Sequence, residues 1–247
     1  MGALPSGRLA GNARALLPGG AMIMTRRLVL FAKPPLPGHA KTRLAEEIGA
    51  AQAARVAEAL LRDTIGLAES LTEQLGEDLK LVLAYTDRRD WFTPALSADW
   101  RLIEQRGADL GERIENALED LDPGPQDRTL FIGMDCPQMP AERVQEAFDA
   151  LKDANAVLGP CDDGGYYLIG TRGGVPEGLL QSVRWSTAEA MGDTVAALEA
   201  ANMTVARLLP GYDVDTADDL QRLAREMAAD GLDRLANLTK TLADLGF

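Results

Sequence analysis

Two hydrophobic periods alternate along this chain, and that alternation limits its fold more than any other feature. Short apolar runs recur at Leu28–Phe31, Leu79–Tyr85, Leu102–Ile103, Leu130–Ile132, Ala156–Leu158, Tyr166–Ile169 and Val205–Leu209. Each reads as a buried strand. Between them lie stretches with helical spacing. Val56, Leu60, Leu67 and Leu71 fall on one helix face, as do Ile114, Leu118 and Leu121, and then Val144, Ala147, Phe148 and Leu151. Strands alternating with helices predict a mostly parallel sheet covered on both faces, a three-layer α/β/α sandwich of Rossmann-like type. Ligands of such sheets bind beyond the carboxyl ends of the strands.

Local signals refine this frame. Ser186-Thr187-Ala188-Glu189 predicts a capping box that opens a helix. Thr216 with Asp219 predicts another helix start. The last ~30 residues read as helical, with Leu220, Leu223 and Met227 followed by Leu232, Leu235 and Leu242. No internal repeat and no linker divides residues 24–247, which read as one domain. Residues 1–23 hold Arg8 and Arg14 and no acid, and read as a disordered tail or a start-site extension ahead of Met24.

Composition narrows the chemistry. The chain has 25 Lys plus Arg against 38 Asp plus Glu, a net charge of −13. So acidic a surface repels phosphate backbones, which argues against a general nucleic-acid binder. His39 is the single histidine, so a multi-His metal site is excluded and Ser-His or Cys-His catalysis is disfavoured. Cys136 and Cys161 are too few for a disulfide framework or a Cys-rich zinc site, and they read as semi-buried thiols. Any metal should be hard and oxygen-ligated. No apolar run approaches the ~20 residues that cross a bilayer, so no membrane association is expected and the default location is cytoplasmic.

Against the acidic background one window is basic. The segment Phe31-Ala-Lys-Pro-Pro-Leu-Pro-Gly-His-Ala-Lys-Thr-Arg-Leu44 carries Lys33, Lys41 and Arg43 and no acid. Prolines and Gly38 stiffen it, and it precedes a helix. A rigid basic loop at a helix start suits a phosphate group, with His39 as an added contact. Asp135 ends the fourth strand run before Cys136-Pro137 and is a metal candidate or a turn cap. Asp213 and Asp215 stand two apart in an extended segment and face the same way. Asp215 is the second metal candidate, while Asp218 and Asp219 suit the following helix N-terminus. Gln105, Asp109 and Arg113 suit hydrogen bonding to a base or ribose edge, with Asp109 as a helix N-cap the equal alternative. Asp163-Gly164-Gly165 reads as a hairpin-type turn near the cleft. Trp185 reads as a packed aromatic or a cleft residue.

Together the segments FAKPPLPGHAKTRL, DLGERI, GMDCPQMP, GPCDDGGYYLIG, WST and DVDTADDL resemble the nucleotide-diphospho-sugar transferase superfamily. Within it they look like the radical-SAM/selenodomain-associated transferase family, over most of residues 25–225. The resemblance implies a GT-A type fold and a metal-dependent transferase. It implies a nucleotide or nucleotide-sugar substrate with a small-molecule acceptor, and Mg²⁺ or Mn²⁺ as cofactor. Lys41 would lie on the diphosphate or triphosphate, and Asp135 with Asp215 would hold the metal. Gln105 to Arg113 would lie near the base, and Asp163, Gly164, Gly165 and Trp185 would border the second substrate. The chain has Met-Asp-Cys where glycosyltransferases of this fold usually carry a DxD motif. Glycosyl transfer is the first expectation. Guanylyltransferase-like nucleotidyl transfer with pyrophosphate release is the alternative, and nucleotide binding without turnover the third. An oligomer is compatible with the amphipathic C-terminal helices.

Overall fold

A computed structural model describes residues 24–97, 99–230 and 234–246. The predicted tail and Leu232 lie outside the described residues. Each apolar run of the sequence becomes a strand: β1 (Arg26–Ala32), β2 (Leu79–Tyr85), β3 (Arg101–Glu104), β4 (Arg128–Ile132), β5 (Ala156–Pro160), β6 (Tyr166–Arg172) and β7 (Val205–Arg207). They form one sheet in the order β3-β2-β1-β4-β6-β5-β7. Every pairing is parallel except the two made by β6. The reason is the connection. Only the tight turn Cys161–Gly165 separates β5 from β6, and a parallel return needs a crossover of a dozen or more residues.

Helices cover both faces: α1 (Thr42–Ile48), α2 (Ala50–Leu75), α3 (Arg89–Phe92), α4 (Leu110–Leu121), α5 (Ala141–Ala150), α6 (Ala190–Ala200), α7 (Ala217–Asp230) and α8 (Ala236–Leu245). In β1 the alternation divides the core. Leu28 and Leu30 pack with α2 and α5, whereas Val29 packs with α4 and α6 on the other face. A third cluster lies outside the sheet. There Leu44 of α1, Val56 and Leu60 of α2, Tyr212, Val214, Leu220 of α7 and Leu238 of α8 come together.

The two predicted helix starts turn out differently. At α7 the Asp219 carboxylate accepts from the Thr216 N–H at 2.9 Å, and the Asp219 N–H donates back to the Thr216 hydroxyl at 3.3 Å. That is a reciprocal box with Asp in the role of Glu. The box at Ser186–Glu189 is not formed. Ser186 sits in the left-handed region at φ 59°, and α6 starts only at Ala190 with no side-chain cap. The Thr187 hydroxyl donates instead to the Arg184 carbonyl at 2.7 Å. Arg184 in turn holds Asp193 through its backbone N–H, Nε and Nη2, so an ion pair ties this helix start down in place of the box.

Asp127 anchors the start of the central strands. Its buried carboxylate accepts from the N–H groups of Thr25 and Gly124 and from the Arg27 guanidinium, each at 2.9 Å. Burial works against its charge, but these three donors overrule it and lower its pKa. A carboxyl with a depressed folded pKa stabilises the fold above its unfolded value and loses that contribution as pH falls through the folded value. Asp127→Ala should therefore cost about 2 kcal/mol at pH 7 and less at pH 3, read by urea denaturation at both. An equal cost at the two pH values would assign the effect to packing.

Candidate active site

A cavity of about 500 Å³ opens over the carboxyl ends of β1, β3 and β4 and the first residues of β6. Because β6 is antiparallel, its start rather than its end faces this side. Tyr166 to Ile169 thereby join the wall. Phe31 and Phe131, at the ends of β1 and β4, meet edge to face at 5.5 Å and form an apolar floor. Lys33, His39, Lys41, Arg43, Gln105 and Arg113 also line the cavity, together with Asp135, Asp213 and Asp215.

Lys41 is the pivot. It is the residue before α1, held in the left-handed region at φ 52°. This turn sends its side chain inward, to 3% exposure. Its ammonium pairs with Asp135 and, at 2.9 Å, with Asp215. Burial disfavours the charged ammonium. The two carboxylates outweigh that, and the pKa is raised. Because α1 has only seven residues, the positive charge of this loop comes chiefly from side chains rather than from the helix.

The carboxylates come from two loops that are tied together. Asp135 follows β4, and its carbonyl accepts from the Val214 N–H at 2.8 Å. The alternation expected of 213–215 is present, since Tyr212 and Val214 point into the third core cluster while Asp213 and Asp215 face the cavity. Asp213 is the more enclosed of the pair. Burial, then the charges of Asp135 and Asp215, push its carboxyl up to about 7. Asp135 and Asp215 keep side-chain exposures of 41% and 37%, so their oxygens are open to the cavity. Their chemistry is that of a hard-cation donor set. Among the described residues no group of three or more His, Cys, Asp or Glu side chains is placed to hold a metal. A cation here would draw its remaining ligands from substrate oxygens and water, which is the usual arrangement for Mg²⁺.

Tyr167 and Cys136 form the inner wall, both buried. The Tyr167 hydroxyl donates to the Leu209 carbonyl at 2.9 Å. Its ring lies against Gly159, where an added Cβ would stand 2.3 Å from the ring. Gly159→Ala should thus displace Tyr167 and cost about 2 kcal/mol by overpacking, measured by thermal or urea unfolding. Unchanged stability would mean that the ring moves aside freely. Cys136 and Cys161 are free thiols. Burial, then Asp213, pushes the Cys136 thiol up to about 12, and the same causes raise Cys161, whose Sγ lies 3.5 Å from Asp213. Neither is an activated nucleophile.

The other sequence candidates divide between the cavity and the scaffold. Gln105 lines the cavity, but its Nε2 is committed to the carbonyls of Ala84 at 2.7 Å and Ala32 at 3.3 Å. Asp109 does not line it. It caps α4, accepting from the Glu112 N–H at 2.9 Å, while Glu112 accepts from the Ala108 N–H. Gly38 supplies a positive-φ turn in the basic loop and does not line the cavity. Asp163, Gly164 and Gly165 make the β5–β6 turn, with the Asp163 carboxylate accepting from the Gly165 N–H at 2.9 Å. Gly164 lies against the Ala188 backbone at φ 88°, a place only glycine fits. Trp185 packs on Tyr166 at 6.3 Å between ring centres and does not line the cavity. Sequence reading missed Phe31, Phe131, Tyr166 and Tyr167 as cavity residues. The available signal was their position at the ends of strands facing the cleft.

The site is thus a cleft at the carboxyl edge of a Rossmann-like sheet, with a carboxylate pair on a buried lysine. A family model described as an uncharacterized protein conserved in bacteria, DUF2064, matches residues 67–187. A protein from Desulfovibrio desulfuricans G20, provisionally assigned as a nucleotide-diphospho-sugar transferase, is 30% identical in sequence. The match covers 90% of this chain and 97% of that one, with a TM-score of 0.77. This chain belongs to the nucleotide-diphospho-sugar transferase superfamily. More distant structures share the fold. A 4-diphosphocytidyl-2C-methyl-D-erythritol synthase from Anaerococcus prevotii DSM 20548 matches at 12% identity over 83% of this chain and 96% of that one, with a TM-score of 0.52. A CMP:2-keto-3-deoxy-manno-octonic acid synthetase in complex with CTP matches at 13% identity over 83% and 99%, with a TM-score of 0.50. No curated protein matches the chain. No helix among the described residues is long and apolar enough to cross a membrane.

Proposed function

We propose that the protein is a divalent-cation-assisted transferase that takes a nucleotide-sugar and passes its glycosyl group to a small-molecule acceptor. The observation that carries this reading is the buried Lys41 ammonium between two cavity-facing carboxylates. Breaking the glycosyl–phosphate bond leaves the electron pair on a phosphate oxygen, so the diphosphate gains negative charge. A fixed ammonium in a partly dry cleft stabilises that charge without first having to reorganise. Lys33 and Arg43 extend the cationic wall toward the rest of the diphosphate, and His39 adds a hydrogen-bonding ring to it. Phe31 offers an apolar face for a base, and Arg113 lines the same cavity. Asp135 and Asp215 would hold Mg²⁺ or Mn²⁺, which supplies charge neutralisation at the phosphates when bound. The motif set quoted above supports the radical-SAM/selenodomain-associated branch of the superfamily.

One observation favours a second reading. Asp135 is a lone acid between Met134 and Cys136, and its partner carboxylate comes from a separate loop. That departure from DxD keeps nucleotidyl transfer in view, where the same cations would stabilise departing pyrophosphate. A single assay separates the readings. The protein is incubated with Mg²⁺ and a panel of nucleotide-sugars or nucleoside triphosphates, and the phosphate products are resolved. Nucleoside diphosphate without pyrophosphate is the result expected. Pyrophosphate release would establish the second reading. Binding without either product would leave a nucleotide-binding protein that lacks turnover. A thermal-shift screen identifies the base first, since a ligand at a hundredfold excess over Kd adds about 2.7 kcal/mol of stability.

A further inference from the structure

The loop that carries Asp135 has few backbone donors of its own. It runs Asp135-Cys-Pro-Gln-Met-Pro140, and Pro137 and Pro140 have no N–H. Such a loop is fixed largely through its carbonyls and side chains. One set of ties runs to the other carboxylate loop. The Val214 N–H donates to the Asp135 carbonyl at 2.8 Å, and the Gln138 Nε2 donates to the Tyr212 carbonyl at 2.7 Å. A further tie comes from Arg234, two residues before α8. Its Nη1 donates to the Pro137 carbonyl at 2.6 Å, and its Nη2 to the Gln138 carbonyl at 2.5 Å. Among the described residues no other donor reaches either carbonyl.

Pro137 is buried, so its carbonyl is costly to leave without a donor. The planar guanidinium spans two successive carbonyls at once, which fixes their spacing as a single donor would not. Arg234 adjoins Leu235, 1% exposed in the third core cluster. Tyr212 and Val214, on either side of Asp213, sit in that same cluster. Both carboxylate loops are therefore tied to one body, the Asp213–Asp215 loop by its apolar side chains and the Asp135 loop by Arg234. Arg234 itself does not line the cavity. We propose that Arg234 is a positioning residue, which fixes Asp135 relative to Asp215 and so sets the affinity of the pair for a divalent cation. The inference rests on the cation placement proposed above.

The test titrates Mn²⁺ alone into the full chain, with unbound Mn²⁺ read from its electron paramagnetic resonance signal. The wild type should show a site that is lost in Asp135→Asn. Arg234→Met keeps an apolar stem and removes the fork, and should weaken that site about tenfold or more. Arg234→Lys keeps the charge without the fork, so its affinity should fall between the two. With the nucleotide-sugar found in the screen, the Mg²⁺ needed for half-maximal turnover should rise by a like factor. A lower melting temperature with wild-type Mn²⁺ affinity would overturn the proposal, since Arg234 would then serve the fold alone. If Arg234→Met fails to fold, Arg234→Lys decides by the same criterion. A wild type that binds no Mn²⁺, or binds it as well as Asp135→Asn does, would reject the cation placement itself and this inference with it.

Discussion

Lys41→Ala is expected to lower turnover by about 10²-fold or more, and Asp135→Ala by a similar factor. The ammonium is held at one point by two carboxylates, so its charge is already oriented before a substrate arrives. Loss of a preorganised group of this kind costs on the order of 3 kcal/mol in the transition state. Both variants should fold. Leu44, not Lys41, seats α1 in the core, and the carboxylates left facing one another are more than a third exposed, so solvent screens their repulsion. Steady-state rates on the nucleotide-sugar found in the screen, with melting temperature as the control for folding, make the measurement. Near-wild-type rates for both variants would reject the site. Lys41→Arg sharpens the result. It keeps the charge but replaces a compact ammonium with a planar fork, so it should recover only part of the loss.

How far the site was legible before the fold depended on the kind of signal. The strands were readable because β1, β4 and β5 are buried on both faces and so appear as unbroken apolar runs. The basic loop was readable because its charge runs against the whole chain. The pairing of Asp213 with Asp215 was readable from strand periodicity alone. Chain direction was legible only from the turn. Periodicity reports that Tyr166–Ile169 is a strand, and the hairpin-type turn at Asp163–Gly165 reports that it returns antiparallel to β5, but nothing in the sequence marks its pairing with β4, which sets Tyr166 and Tyr167 at the cavity. The inward turn of Lys41 depends on a left-handed backbone angle at a non-glycine residue, for which the sequence has no mark. Ser186 failed as a cap for a related reason. A capping box needs its first residue extended, and Ser186 is left-handed while an ion pair between Arg184 and Asp193 secures the helix start instead. Asp109 fitted a cap and a ligand contact equally well by type, and the carboxylate on the Glu112 N–H is the cap.

The largest effect on stability should come from a residue that does not line the cavity. Asp63 lies on α2, 5% exposed, and its carboxylate accepts three hydrogen bonds from the start of α8. The N–H of Asn237 donates at 3.1 Å, its Nδ2 at 2.7 Å and the N–H of Leu238 at 2.9 Å. α8 has no side-chain cap of its own, so a carboxylate far away in sequence supplies both the acceptor and the negative charge that a helix N-terminus favours. Asp63→Ala leaves these donors unpaired, one of them in the core, and should cost about 3 kcal/mol. Asp63→Asn keeps one acceptor oxygen and should cost roughly half as much. Urea denaturation reads both, as a lower midpoint with an unchanged slope. A loss under about 0.5 kcal/mol for Asp63→Ala would show that apolar packing holds α8 unaided. The consequence reaches the chemistry. α8 packs through Leu238 and Leu242 into the cluster that also holds Leu44, Tyr212 and Val214, the residues behind Lys41 and Asp213–Asp215. Asp63→Ala should therefore also weaken nucleotide binding as temperature rises.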